Sequence, residues 1–275
     1  MILLYILLAI LCALAALAVL LFILYLFVFV RPRGKSPADD ESLLRDYAHR
    51  GLHSESIPEN SLAAFEAACE KGFGIELDIQ LSGDGEVMVF HDYTLIRMTG
   101  KEGKVYDFTA EELKTFSLNG TDQTIPTFAE VLALVNGRVP LLVELKGEDL
   151  NASLCPKAAA LLRDYAGPYC IESFNPLLIR AMRKELPDAW YGQLYTNVCK
   201  EKKKVTVLNL LLTAMAFNFL ARPDFIAYNY VYRSALAVRL ATKLYSAPKF
   251  VWTVRDKTEL GRAHDLGEYP IFERI

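Results

Sequence analysis

The chain has 275 residues, 53% of them apolar, so length alone supplies a sizeable core and wholesale disorder is excluded. Lys and Arg number 30 against 33 Asp and Glu, a net charge of -3 with no long basic stripe, which argues against a nucleic-acid partner. Five cysteines (Cys12, Cys69, Cys155, Cys170, Cys199) form no CxxC pair, so they read as reduced thiols rather than a disulfide framework or a zinc site.

No residue from Ile2 to Val30 is charged. As a helix rising about 1.5 Å per residue, that run exceeds the roughly 30 Å hydrocarbon core of a bilayer. It is too long for the apolar part of a secretory signal and has no small-residue cleavage site before Arg31, so residues 1–30 read as an uncleaved transmembrane anchor. Arg31, Arg33 and Lys35 follow the span, while only the α-amino group precedes it. That asymmetry predicts a single-pass protein of the cell membrane with its body in the cytoplasm. Residues 31–40, with two prolines, a glycine and mixed charge, have linker composition.

From 41 to 275, short apolar or β-branched runs alternate with amphipathic stretches. Strands are predicted over 46–50, 74–80, 140–146, 169–174, 191–196, 224–230, 249–255 and 269–273. Between them, Asn60 or Ser61 can cap a helix carrying Ala64, Phe65 and Ala68. Thr109 with Glu112 and Thr127 with Glu130 have capping-box spacing, and Gly72, Gly137 and Gly167 mark helix ends. Further helices fit 152–165, 176–186, 205–220, 234–245 and 258–266. Strand then helix, eight times over, predicts a TIM (β/α)8 barrel. An open doubly wound sheet is the runner-up, but no GxGxxG turn follows the first strand. The closing eighth helix is missing, so residues 40–45 or the anchor would have to cover that side.

Strand side chains alternate faces. In the run 74–79, Glu76 and Asp78 share one face while Ile75, Leu77 and Ile79 share the other. Carboxylates inside a barrel repel and lose hydration unless a divalent cation with oxygen ligands neutralises them. Glu144 repeats the pattern on the next barrel strand, with Lys146 on its face, free to pair with Glu144 or to bind an anionic substrate. A buried ion pair would explain either set alone, but explains both together poorly. His49 and His91 end extended runs, where imidazoles can shuttle protons. Arg50 offers a fork for phosphate, and Gly51 permits the turn beside it. His53 and His264 read as structural.

The motifs HRG (49–51), PEN (58–60), ELD (76–78), HD (91–92) and ELK (144–146), in that order, with IPTFAEVL, SFNP and FVWTV, resemble the glycerophosphodiester phosphodiesterase family over 47–254. The resemblance implies a TIM barrel, one divalent cation (Mg²⁺ or Ca²⁺) and hydrolysis of glycerophosphodiesters to glycerol 3-phosphate and an alcohol. Carried over by motif, His49 and His91 are the acid/base pair and Glu76, Asp78 and Glu144 the metal ligands. Arg50 and Lys146 contact phosphate and substrate, and Trp252 lines the pocket. The family's usual aspartate-bearing last strand here reads GEYPIFER (267–274), and no functional residue is carried over there. Lys200, Lys202, Lys203 and Lys204 precede the uncharged run 205–220, which is either a crossover helix on the barrel or an interfacial helix on an anionic bilayer. The second reading adds lysophospholipids and a lysophospholipase D-like activity. A catalytically silent membrane-binding module is the competitor from another class.

Overall fold

A computed structural model describes residues 1–33, 41–147 and 153–275. Most of the expected linker, from 34 onward, and the expected helix start at 152 lie outside the described residues.

The first helix, α1 (Ile2–Leu24), continues as a π turn over Tyr25–Phe29. Together they are long and apolar enough to cross a membrane, and by length and composition they fit a membrane span or a signal sequence. Then come β1 (Tyr47–Ala48), β2 (Gly74–Leu81), the antiparallel β3 (Val87–Val89), β4 (Leu141–Leu145), β5 (Tyr169–Ser173), β6 (Trp190–Tyr195), β7 (Phe225–Asn229), β8 (Lys249–Val254) and β9 (Tyr269–Phe272). All but β3 are parallel. Because β1 pairs with both β2 and β9, the eight parallel strands close into a TIM-type barrel. Every predicted strand is present.

The crossovers carry α2 (Leu62–Lys71), the short α3 (Ile96–Thr99) and α4 (Ala110–Leu113), α5 (Phe128–Val135), α6 (Leu154–Arg163), α7 (Pro176–Glu185), α8 (Val198–Glu201), α9 (Val207–Thr213), α10 (Asn218–Ala221), α11 (Leu236–Arg239) and α12 (Lys257–Asp265). Their ends follow local chemistry. Ser61, rather than Asn60, caps α2 by accepting from the Ala64 amide, and left-handed Gly72 stops it. Thr109 with Glu112 and Thr127 with Glu130 close both expected capping boxes. Gly167 is not a helix stop: α6 ends at Arg163, and the glycine instead lies where a Cβ would come within 2.5 Å of the Tyr165 ring.

The run 205–220 is not one helix. Thr206 caps α9, the backbone reverses at Met215 (φ 52°), and α10 restarts at Asn218. At the start of α10, Asn218 Nδ2 donates to the Val30 carbonyl at 3.1 Å. Likewise α11 passes into a π turn over Leu240–Leu244 within the expected helix 234–245.

Among the described residues, the segments expected to cover the side beyond the last strand pack elsewhere. Phe29 meets Phe219 edge-on at 5.3 Å, and the Tyr245 hydroxyl donates to the Leu26 carbonyl at 2.6 Å, so the anchor's end packs beside α10 and Tyr245. Leu43 is instead buried in the barrel lumen with Tyr47, Trp190, Phe225 and Phe250, at the end where the strands begin. Between β9 and β1, Phe272 packs edge-on against Phe73 at 4.9 Å, and no helix follows β9 among the described residues. Phe225 and Phe250 pack with tilted rings, centroids 4.6 Å apart, to fill the lumen floor, each such buried ring contributing about 1.5–3 kcal/mol. Above this floor the lumen turns polar.

Candidate active site

Alternation turns Glu76 and Asp78 into the lumen, while Ile75, Leu77 and Ile79 join the outer core with Phe65 of α2 and Phe128 of α5. Register does the rest. Asp78 lies opposite Glu144 of β4, and Glu144 opposite Glu172 of β5, so three carboxylates form one row across three strands. Glu76 sits one step deeper, opposite Leu142. None of the four is more than 7% exposed.

Two permanent cations face them. Lys146 Nζ reaches Asp78 Oδ1 at 2.9 Å and Glu144 Oε1 at 2.7 Å. Arg50 donates its amide to Glu76 Oε2 (2.9 Å) and a guanidinium N–H to Glu59 Oε1 (2.7 Å), with Nε 3.6 Å from Asp78 Oδ2. Arg50 holds φ 57° and Gly51 φ 80°, and a Cβ on Gly51 would come within 2.8 Å of Ala64 Cβ, so the turn that delivers the Arg50 amide requires glycine there. Asn60 of the PEN motif adds a 2.8 Å hydrogen bond to Asp78 Oδ2.

The electrostatics show which charges are surplus. Burial would raise the Asp78 carboxyl, but Lys146, His91 and Arg50 hold it well below the usual carboxylate range. Glu76 is pushed well above that range by burial and by Asp78 and Glu144, and Glu172 by burial and Glu144. Glu144 rises to about 7, chiefly through burial. Glu172 Oε2 is buried without a hydrogen-bond partner among the described residues. Burial and mutual repulsion thus disfavour the charged forms of Glu76, Glu144 and Glu172, and a dication among them would favour those forms. Glu76, Asp78 and Glu144 each offer an oxygen, and these oxygens lie within 4.8 Å of one another. An all-oxygen, buried, negatively charged cluster fits a hard divalent ion.

Both histidines arrive from strand ends with the same arrangement. His49 Nδ1 lies 2.6 Å from Glu273 Oε1, leaving Nε2 on the lumen side, 3.8 Å from Glu76 Oε2. His91 Nδ1 lies 2.6 Å from Asp92 Oδ1, and Asp92 in turn accepts from Arg97. Gln80 steadies that loop by donating to the carbonyls of Phe90 and Asp92. Burial lowers both imidazoles, His49 to about 4. Although burial works against it, hydrogen bonds from His49 and Arg255 keep Glu273 well below the usual carboxylate range. The Trp252 indole donates to the Ala227 carbonyl at 3.1 Å and meets Phe174 edge-on.

One cavity of about 340 Å³ is lined by His49, Arg50, Glu76, His91, Glu144, Lys146 and Trp252. Asp78 is joined to it through Lys146 and Glu144. The seven expected residues and Asp78 therefore converge. Two acids were not expected. Glu172 occupies the same inward position of its strand as Glu144, a signal visible in the run YCIES (169–173) once the strands are aligned. Glu273 lies in the departing last-strand sequence, and nothing local marks it as the partner of a histidine 224 residues away. Of the two histidines read as structural, His264 pairs with Asp46 at 3.0 Å outside the cavity. His53 is buried, 4.0 Å from Glu273 Oε1.

The chain is similar to several known proteins. A curated glycerophosphodiester phosphodiesterase of Caldanaerobacter subterraneus is 39% identical over 159 residues, covering 54% of this chain and 65% of that protein. Human glycerophosphodiester phosphodiesterase 1 is 34% identical over 116 residues, 38% of this chain and 35% of its own. The matches thus span less than two thirds of these relatives' lengths. Among solved structures, an Oleispira antarctica phosphodiesterase in complex with sn-glycerol 3-phosphate superposes with a TM-score of 0.69 at 24% identity, over 85% of this chain and 94% of that one. A Thermotoga maritima glycerophosphodiester phosphodiesterase gives 0.64 at 25% identity, over 83% and 94%. A glycerophosphoryl diester phosphodiesterase family profile matches residues 49–272, from the first of the converging histidines to the end of β9, and the chain belongs to that family.

Proposed function

We propose that this chain hydrolyses glycerophosphodiesters to glycerol 3-phosphate and an alcohol, using His49 and His91 for proton transfer beside a divalent cation, Mg²⁺ or Ca²⁺, held by Glu76, Asp78 and Glu144. The observation that carries the reading is the convergence of two carboxylate-tethered imidazoles on one buried acidic cluster. A domain without catalytic duty has no physical need to gather these charges, which speaks against a silent binding module.

When bound, the ion supplies charge neutralisation at a phosphoryl oxygen and lowers the pKa of a hydroxyl beside it. The protein's own groups do the rest. Each imidazole has Nδ1 tied to a carboxylate, which fixes the ring and leaves Nε2 for the reacting atoms. One imidazole takes the nucleophile's proton and the other gives a proton to the departing oxygen, so the leaving group departs as a neutral alcohol. Arg50 and Lys146 offset charge on the phosphoryl group, and Trp252 forms an apolar wall for the glycerol or alcohol part. Glu273 acts on His49 as an orienting group. Glu273→Gln is expected to lower kcat about tenfold or more while leaving KM for a soluble diester nearly unchanged, because loss of an outer partner disorders the ring rather than the substrate contacts. Steady-state kinetics on glycerophosphocholine checks this.

The first helix is proposed to be a membrane anchor with residues 31–275 on the cytoplasmic side. Its apolar length and the basic residues Arg31, Arg33 and Lys35 support this. The functional test uses the purified full chain with glycerophosphocholine and glycerophosphoglycerol, with Mg²⁺, Ca²⁺ or chelator. Metal-dependent release of glycerol 3-phosphate is expected, and no turnover of either diester under any metal condition would refute the proposal.

A further inference from the structure

On the outer wall of the barrel, between the crossover from β7 to β8 and α12, lies a cavity of about 640 Å³. Arg233, Arg239, Lys243, Lys249 and Arg262 line it, against the carboxylates of Glu259 and Glu268. The whole chain carries a net charge of -3, so a lining of five cations and two anions runs against the rest of the molecule. Tyr230 and Val231 stand between this cavity and the catalytic one, lining both.

Both carboxylates are already committed. Arg233 holds Glu268 in a fork, Nε to Oε1 and Nη2 to Oε2 at 2.8 Å each, and Nη2 also reaches Glu259 Oε1 at 2.5 Å. The Tyr228 hydroxyl donates to Glu268 as well. Arg262 lies 3.8 Å from Glu259, and Lys249 donates to the neutral Leu266 carbonyl. Arg239 and Lys243, both exposed, have no ion-pair partner among the described residues. Four cations thus share one concave space with little carboxylate left to answer them. Guanidinium and ammonium donors arranged this way match a phosphate group, whose oxygens accept from several at once.

The same wall meets the first helix. Tyr245, which ends the π turn carrying Lys243, donates to the Leu26 carbonyl at 2.6 Å, and Arg31 lies over its ring, 5.9 Å from the centroid. Leu236 and Leu244 of that element are exposed. We propose that this cavity is a second anion site, separate from the catalytic one, that binds a phosphate monoester through Arg239, Lys243, Lys249 and Arg262. Excess positive charge favours the monoester dianion over a singly charged diester. That group arrives either on a soluble molecule or as the head of a lipid in the bilayer the first helix would enter, and the chemistry of recognition is the same for both.

The test uses the full chain and a covalent probe, pyridoxal 5′-phosphate, whose aldehyde condenses with a lysine amine, releasing water, and is then fixed by borohydride reduction. Lys243 or Lys249 should be modified at about tenfold lower concentration than with pyridoxal, which lacks the phosphate, the scale of one charge-assisted contact. Peptide mapping separates these lysines from Lys146 and from Lys200, Lys202, Lys203 and Lys204, a basic cluster outside this cavity that should show a weaker preference. The double variant Arg239→Gln with Arg262→Gln, at two exposed positions, should lose the preference with its circular dichroism unchanged. Suppression of the labelling by inorganic phosphate in detergent alone identifies a soluble ligand. Suppression in bilayer discs by phosphatidic acid, and not by phosphatidylcholine, identifies a lipid head. Suppression by neither, no modification of either lysine, equal modification by the two aldehydes, or a preference that survives in the double variant would overturn the proposal. The readout is a covalent mark, so it holds whichever diester the chain hydrolyses.

Discussion

His49→Ala and His91→Ala are each expected to lower kcat/KM on glycerophosphocholine by about 10²- to 10⁴-fold, the contribution of one positioned acid or base. The reason lies in geometry shared by the two rings. Each has Nδ1 within 2.6 Å of a carboxylate, so Nε2 is the nitrogen left for the substrate. Alanine removes the nitrogen and leaves Glu273 or Asp92 facing the cavity without its imidazole. The double variant should lose little beyond the worse single one, because the two groups act in one proton-transfer cycle. Steady-state kinetics on the three variants checks both statements, and a single variant with normal turnover would remove that histidine from the mechanism.

Glu144→Gln should have the second large effect, and it should appear first in metal binding. Glu144 sits between Asp78 and Glu172 in the carboxylate row, and its charge is shared with Lys146 at 2.7 Å. The amide keeps the shape of the side chain and removes the charge. Lys146 keeps Asp78 as partner at 2.9 Å, so the fold should survive. Titration calorimetry with Mn²⁺ or Ca²⁺ should show affinity weakened by more than the roughly 10- to 100-fold that an outer-shell change costs. Turnover at fixed metal should fall in parallel, and excess metal should restore part of it. Unchanged ion affinity would mean that Glu144 serves Lys146 rather than a cation.

Much of this site is legible in the sequence because its logic is local. ELD and ELK each place two charged residues two apart on a strand, so alternation alone turns them to one face. The capping boxes at Thr109 and Thr127 likewise need only three residues of context. What escapes is set by long-range contact. The segment 205–220 is broken beside a long-range contact, Asn218 to the Val30 carbonyl, and Glu273 matters only because barrel closure brings β9 beside β1. Glu172 is intermediate: its inward position follows from alternation, but its place in the row depends on register between β4 and β5. The side beyond β9 is also set by long-range contact, since Leu43 fills the lumen and the anchor's end packs beside α10.

The claim on which the rest stands is that Glu76, Asp78 and Glu144 hold one divalent cation within reach of both imidazoles. Crystals of the chain grown with Mn²⁺ and glycerol 3-phosphate test it most directly through the anomalous signal. A single strong peak bounded by oxygens of all three carboxylates, with the phosphate between His49 and His91, is the expected result. A peak held elsewhere, or a phosphate bound with the three carboxylates still paired only to Lys146 and Arg50, would contradict it.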